Sequence, residues 1–134
     1  RIDCMATDLA PHAIQDKLCE FDVAAMGISG LETALALALT VVDIETAIER
    51  LTIAPVRTLG LDVRPDGRPS GRIPGLGTLT TGAAADITLI DPVAEWTVDP
   101  ALFASKGKNT PLAGRALRGR VTATVYGGKV AWQM

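Results

Sequence analysis

The chain has 134 residues, 48% apolar and 21% charged, with thirteen basic and fifteen acidic side chains and a net charge of −2. That length suffices for one domain with a core, and the composition excludes a disordered polymer. The near balance of charge excludes a broad attraction to nucleic acid or to an anionic membrane.

The chain opens on RIDCMATD, a loosely alternating run in which Ile2, Cys4 and Ala6 share one face and Met5 the other. The pattern predicts a short buried strand over residues 2–7, with Cys4 in the core. Pro11 forbids a regular continuation and restricts Ala10 before it. The following stretch, HAIQDKLCEFDVAAMGISG, is rich in small and polar residues and reads as a long loop with at most a helical turn. Ser29 and Glu32 have the S-x-x-E form of a capping box, which predicts a helix over LETALALALT, buried on most sides. Asp43 is placed to cap a second helix, DIETAIERLT, whose Ile44, Ala47, Ile48 and Leu51 recur at i, i+3, i+4 and i+7. Pro55 suits the first turn of a third helix, PVRTLG, with Gly60 at its C′ position.

From residue 62 to 77 the composition shifts to DVRPDGRPSGRIPGLG, which reads as a linker dividing residues 1–61 from 62–134. Its G-L-G is a weak match to a phosphate-binding loop, because no strand-to-helix transition surrounds it. Beyond it the period becomes that of strands. ADITLID predicts one strand, with Ile87 and Leu89 on one face and Thr88 and Ile90 on the other, and EWTVD a second. GRVTATVYGGKVAW predicts a hairpin turning at Gly127-Gly128.

Cys4 and Cys19 have no metal-ligand spacing and are too few for a disulfide framework, so a cytoplasmic protein with reduced thiols is expected. Glu32 interrupts the longest apolar run, whose uncharged part is too short to span a bilayer, and no signal peptide is recognisable. A chain that begins with Arg1 suggests a processed product or a piece of a longer protein.

Two groups of residues point to chemistry. Asp8 follows the predicted first strand, where α/β enzymes place groups that bind metal or carry protons, and His12 lies four residues on across the Ala10-Pro11 corner. Taken alone, the pair reads equally as an Asp capping a turn and a surface histidine, and local pattern favours that plainer reading. Gly27 and Gly30 flank a predicted helix start, where backbone amides are able to approach an anion, or else serve a turn and tight packing. Arg115, Arg118 and Arg120 read as a solvated face, and Trp96 and Trp132 as packing residues. His12 is the only histidine, so no Ser-His-Asp set is convincing.

In order along the chain, ATDLAPH, GISGLETAL, APVRTLGL, GAAADITLIDPVAEWTVDP, SKGKNTPLAGRALRGRV and VYGGKV resemble the C-terminal third of the longer-chain bacterial dihydroorotases, members of the amidohydrolase superfamily. Each piece is weak by itself; the series covers nearly all of the chain. The resemblance implies an α/β fold: the end of a (β/α)8 barrel, its last strand and helices, followed by strands of a small β-sandwich domain. It implies a zinc-dependent enzyme that interconverts N-carbamoyl-L-aspartate and L-dihydroorotate in pyrimidine biosynthesis, with a small-molecule substrate. By motif position it makes Asp8 the catalytic aspartate and metal ligand. It places the substrate carboxylate on His12 and Ala10, and the pyrimidine ring against the backbone of Gly27.

The sequence departs from the family pattern at Leu9, where a histidine is usual, and at Met26, where a proline is usual. The family's H-x-H pair, its bridging lysine and its further histidines have no counterpart here. One Asp and one His fall short of the roughly three protein ligands of a catalytic zinc, and a barrel needs about 250 residues. The expectation is therefore a segment of a longer enzyme, inactive alone and prone to self-association through bare strand edges. The alternative is a non-catalytic dihydroorotase-like subunit that stabilises aspartate transcarbamoylase. Hydantoinases and allantoinases share the architecture, but their motifs usually lack the A-P-H ending that contains His12. An independent binding domain that shares the motifs by coincidence is the least economical reading.

Overall fold

The computed structural model describes residues 2–61 and 75–134. Residues 62–74, most of the expected linker, lie outside the described residues. The elements run α1 (Ala34–Ala38), α2 (Ile44–Leu51), α3 (Ile53–Thr58), β1 (Ile87–Thr97), β2 (Ala116–Tyr126) and β3 (Lys129–Gln133), with single 3-10 turns at Ile14–Asp16 and Pro100–Leu102. The strands form one antiparallel sheet in the order β1-β2-β3. No helix among the described residues is long and apolar enough to cross a membrane.

The helices follow local chemistry closely where caps exist. Asp43 accepts from the Thr46 amide at 2.8 Å and from its hydroxyl at 2.9 Å, which closes the N-terminus of α2. Ala47 is fully buried on that helix, while Ile48, on the same predicted face, stays 42% exposed. α3 ends in a Schellman motif: Gly60, at φ +61°, donates to the Arg57 carbonyl, and Leu61 donates to that of Val56.

The predicted capping box does not form. α1 starts five residues after Ser29, and Ser29 and Glu32 both reach instead to the 105–109 segment. The Ser29 hydroxyl, fully buried, lies 2.9 Å from the Gly107 carbonyl and 2.9 Å from Asn109 Oδ1; Glu32 Oε1 accepts from the Ser105 amide. These long-range partners outcompete the local cap, and the helix shortens. Ala36 and Ala38 are buried on it, but Leu31, within the predicted helix, is 58% exposed.

Residues 2–7 are not a strand, and Cys4 is only half-buried. A strand exists through its ladder, and the segment has no strand beside it among the described residues; it is tied to the end of α2 by Met5 N–H to Arg50 O and Arg50 to Asp3 O. The described residues before Ile87 contain no strand, and together with those after it they form an α/β arrangement with one small antiparallel sheet.

The two strands expected between residues 85 and 99 are one bent strand, β1. Asp91 Oδ1 accepts from the amides of Val93 and Ala94, turning the chain at Pro92 without ending the pairing with β2. A second irregularity, where Leu89 faces Ala123 but Ile90 faces Val121, leaves Thr122 as an extra residue. The inward alternation breaks there, with Leu89 52% exposed beside half-buried Ile87 and Ile90. The hairpin turns as expected: Gly127 and Gly128 both take positive φ, +55° and +77°, as a two-residue type I′ turn requires.

The core sits where α1 meets the sheet. Ala36, Val98, Phe103, Leu112 and Leu117 form it, with Leu37 and Trp96 packed against it. Gly119 lets α1 approach β2; a Cβ there would stand 2.4 Å from Leu39 Cδ1. Trp96 donates to the Gly119 carbonyl at 3.0 Å, and the Arg120 guanidinium lies 5.6 Å above its ring. Trp96 is thus a packing residue as expected. Arg118 and Arg120 face Glu95 and Asp91 across the strands.

Candidate functional site

Asp8 turns the chain. Its φ of +45° makes it the one described non-glycine residue in the left-handed region, a conformation that Asp tolerates better than most residues. The side chain is exposed and makes no hydrogen bond among the described residues, which leaves both carboxylate oxygens available. Two residues on, Ala10 donates to the Ile28 carbonyl at 2.9 Å, so the ATDLAPH corner lies along the 26–29 stretch.

His12 faces the same stretch. Its Nε2 lies 2.8 Å from the Met26 carbonyl oxygen. A carbonyl only accepts, so Nε2 carries hydrogen, and Nδ1 is the ring nitrogen left for another partner. Gly27 adopts φ +105°, and a Cβ built there would fall 2.4 Å from Ala10 Cβ and 3.8 Å from His12 Nε2. Only glycine permits both that backbone and that approach. The expectation that Gly27 and Gly30 flank a helix start fails, because α1 begins later; a Cβ at buried Gly30 would meet only Ile28 and Thr7, at ordinary contact distance.

Two polar side chains hold this loop, and sequence reasoning had singled out neither. Lys17 Nζ donates to the carbonyls of Ala25 and Gly27, the latter at 2.7 Å. Asn109 uses its whole amide. Oδ1 accepts from His12 N–H at 3.0 Å and lies 2.9 Å from Ser29 Oγ, while Nδ2 donates to Ala10 O at 3.0 Å and Gly27 O at 3.2 Å. The Asn109 carbonyl also accepts from Ser29 N–H at 2.8 Å. These partners fix the orientation of the amide, since an N–H requires an acceptor and two carbonyls require donors. Gly107 seals the contact from the same segment: a Cβ there would lie 2.5 Å from Pro11 Cβ and 2.6 Å from Pro11 Cα. The only sequence signal for these roles is the K-G-K-N-T-P run, turn-forming residues among charges between two predicted strands.

Three of the four expected site residues, Ala10, His12 and Gly27, thus meet through Asn109, and Asp8 is exposed two residues before Ala10. Among the described residues, no three His, Cys, Asp or Glu side chains come close enough to hold a metal ion. The donors present do not make a zinc site, and Asp8 would be one ligand at most. A separate cleft of about 590 Å³ lies between α1 and the sheet, lined by Leu35, Trp96, Phe103 and Trp132 among others, away from Asp8 and His12.

No protein-family model matches the chain. Curated relatives do. It is 46% identical over 134 residues to a dihydroorotase of Anaeromyxobacter sp. (strain K), covering 96% of this chain and 28% of that protein. It is 45% identical over 134 residues to one of Geotalea daltonii, again covering 96% and 28%, and 44% identical over 138 residues to one of Pelotomaculum thermopropionicum, covering 98% and 29%. The chain therefore spans under a third of the length of these relatives. In structure it is similar to a D-hydantoinase from Thermus sp. (TM-score 0.78, 22% identity, 98% of this chain and 28% of that one). It is equally similar to an L-hydantoinase from Arthrobacter aurescens (TM-score 0.78, 24% identity, 98% and 29%). At those identities the likeness concerns the fold.

Proposed function

We propose that this chain, a homologue of dihydroorotases across nearly its whole length, is the C-terminal segment of such an enzyme and supplies part of its substrate site. The observation that carries this reading is the 42–46% identity over 96–98% of the chain. Residues 1–61 then belong to the end of the barrel and residues 62–134 to the small β-domain, with residues 2–7 becoming a strand only when barrel neighbours flank them. The substrate pair is N-carbamoyl-L-aspartate and L-dihydroorotate.

The geometry supports definite roles. Asp8, exposed and without a hydrogen-bond partner among the described residues, is the group that takes and returns a proton at its carboxylate, and the one metal ligand of this chain. The family's zinc, when bound, would polarise the amide that is made or broken; the remaining ligands must come from outside these residues. His12 binds the substrate carboxylate through Nδ1, because Nε2 is engaged by Met26 O. Ala10 lines the carboxylate site. Both acceptor directions of Gly27 O are used, by Lys17 and Asn109, so the backbone group that Gly27 offers the ring is its N–H.

The second reading, a non-catalytic subunit that stabilises aspartate transcarbamoylase, rests on Leu9 in place of the usual histidine. One chimera separates the two: the upstream portion of the Anaeromyxobacter relative joined to this chain, assayed for interconversion of N-carbamoyl-L-aspartate and dihydroorotate. Turnover is expected, with loss of at least about a thousandfold in Asp8→Asn, in line with removal of a proton-carrying group. Asn tolerates the left-handed backbone, so the substitution leaves the turn intact. A folded chimera without turnover contradicts the enzyme reading and favours the subunit.

A further inference from the structure

Of all side chains in the described residues, Asn109 makes the most consequential set of contacts. It lies in the connection between β1 and β2, 97 to 99 positions from the corner it touches. Oδ1 accepts from His12 N–H and lies 2.9 Å from the Ser29 hydroxyl, which Gly107 O shares, and both Nδ2 hydrogens are committed, to Ala10 O and Gly27 O. An asparagine whose oxygen and nitrogen bond across two loops at once is a rigid spacer, because shifting either loop against the other breaks at least one of its bonds. No other side chain in the described residues joins the Ala10–His12 corner to the Gly27 turn from outside both. Gly107 presses Pro11 from the same segment, and buried Ser29 anchors that segment in turn.

We propose that Asn109 is a positioning residue, which sets the distance between the Ala10–His12 corner and the Gly27 turn and thereby the width of the substrate site. The proposal rests on the dihydroorotase reading for what the site binds, but the positioning itself is a property of this chain. It makes a split prediction. Asp in place of Asn109 keeps the oxygen that accepts from His12 N–H but turns both donors into acceptors facing the Ala10 and Gly27 carbonyls. Ala removes both halves.

The test is hydrogen exchange and proton NMR on the 134-residue chain, wild type beside Asn109→Asp and Asn109→Ala. In Asn109→Ala the His12 amide is expected to exchange about tenfold faster, as loss of its one hydrogen bond predicts. The contact between the Ala10 methyl and the Gly27 Hα protons should disappear. In Asn109→Asp the His12 amide keeps its protection while the Ala10–Gly27 contact is lost. Amides of α2 and of the β2–β3 hairpin should be unchanged in both.

Unchanged His12 exchange in Asn109→Ala overturns the proposal. So does uniform acceleration across α2 and the hairpin in both variants, which would make Asn109 a general stability residue. The chimera keeps the two readings apart. If the NMR signature appears and the chimera is silent, positioning stands and the dihydroorotase reading falls. If the chimera turns over, Asn109→Asp should raise KM about tenfold with kcat within about threefold, as loss of ground-state binding predicts. An unchanged KM removes Asn109 from the substrate site.

Discussion

Gly107 is the residue where packing and site meet most tightly. Its missing Cβ is what allows the 105–109 segment to lie on Pro11, and no flexible side chain is there to yield. Gly107→Ala should therefore cost about 1–3 kcal/mol, as overpacking at a tight contact does, with the Ala10–His12 corner displaced. Urea unfolding measures the first, and a loss below about 0.5 kcal/mol would show that the corner relaxes freely. At this scale the sequence was partly legible. Asp8, Ala10, His12 and Gly27 stood out because they form a short motif and a glycine in one loop. Asn109 and Lys17 did not, since their significance lies in carbonyls they reach across the fold, and carbonyls leave no trace in side-chain identity. Ser29 and Glu32 misled for the converse reason: their spacing matches a local cap, and the fold spends both on a distant segment.

Among the elements, those closed by local chemistry were readable and those closed by pairing were not. The Asp43 cap, the Gly60 terminator and the Gly127-Gly128 turn each depend on a residue's own backbone or on a partner three residues away. Residues 2–7 have a strand's alternation without a strand's neighbours. β1 continues through Pro92 because Asp91 supplies the turn's hydrogen bonds in place of the ladder. The cap carries a pH dependence. The Thr46 amide, then its hydroxyl, stabilises the Asp43 carboxylate and holds its pKa below the ordinary 3.8. Below that ordinary value the unfolded chain binds the proton first. The cap's contribution to stability is therefore complete above it and lost as pH falls through the lower folded value. Amide exchange of α2 should accelerate across that acid window in the native chain and show no such step in Asp43→Ala. A step of equal size in the variant would assign the effect to another group.

At the scale of the whole molecule, the described residues cover little of their apolar surface. The largest fully buried apolar side chain is Val98, and half of the ten buried apolar residues are alanines. Phe21, Met26 and Leu79 are more than four-fifths exposed, and Trp132 and Val130 stand open on the edge strand β3. An open apolar edge recruits another strand, so sedimentation velocity should show association that grows with concentration; a single monomer species throughout would contradict it. The same openness accords with a site that this chain supplies only in part. Zinc content after dialysis against metal-free buffer tests that claim most directly. The account predicts essentially no zinc on the 134-residue chain, with Asp8 alone too few ligands to retain it. Retention near one zinc per chain would contradict it, and would mean that these residues form a complete metal centre by themselves.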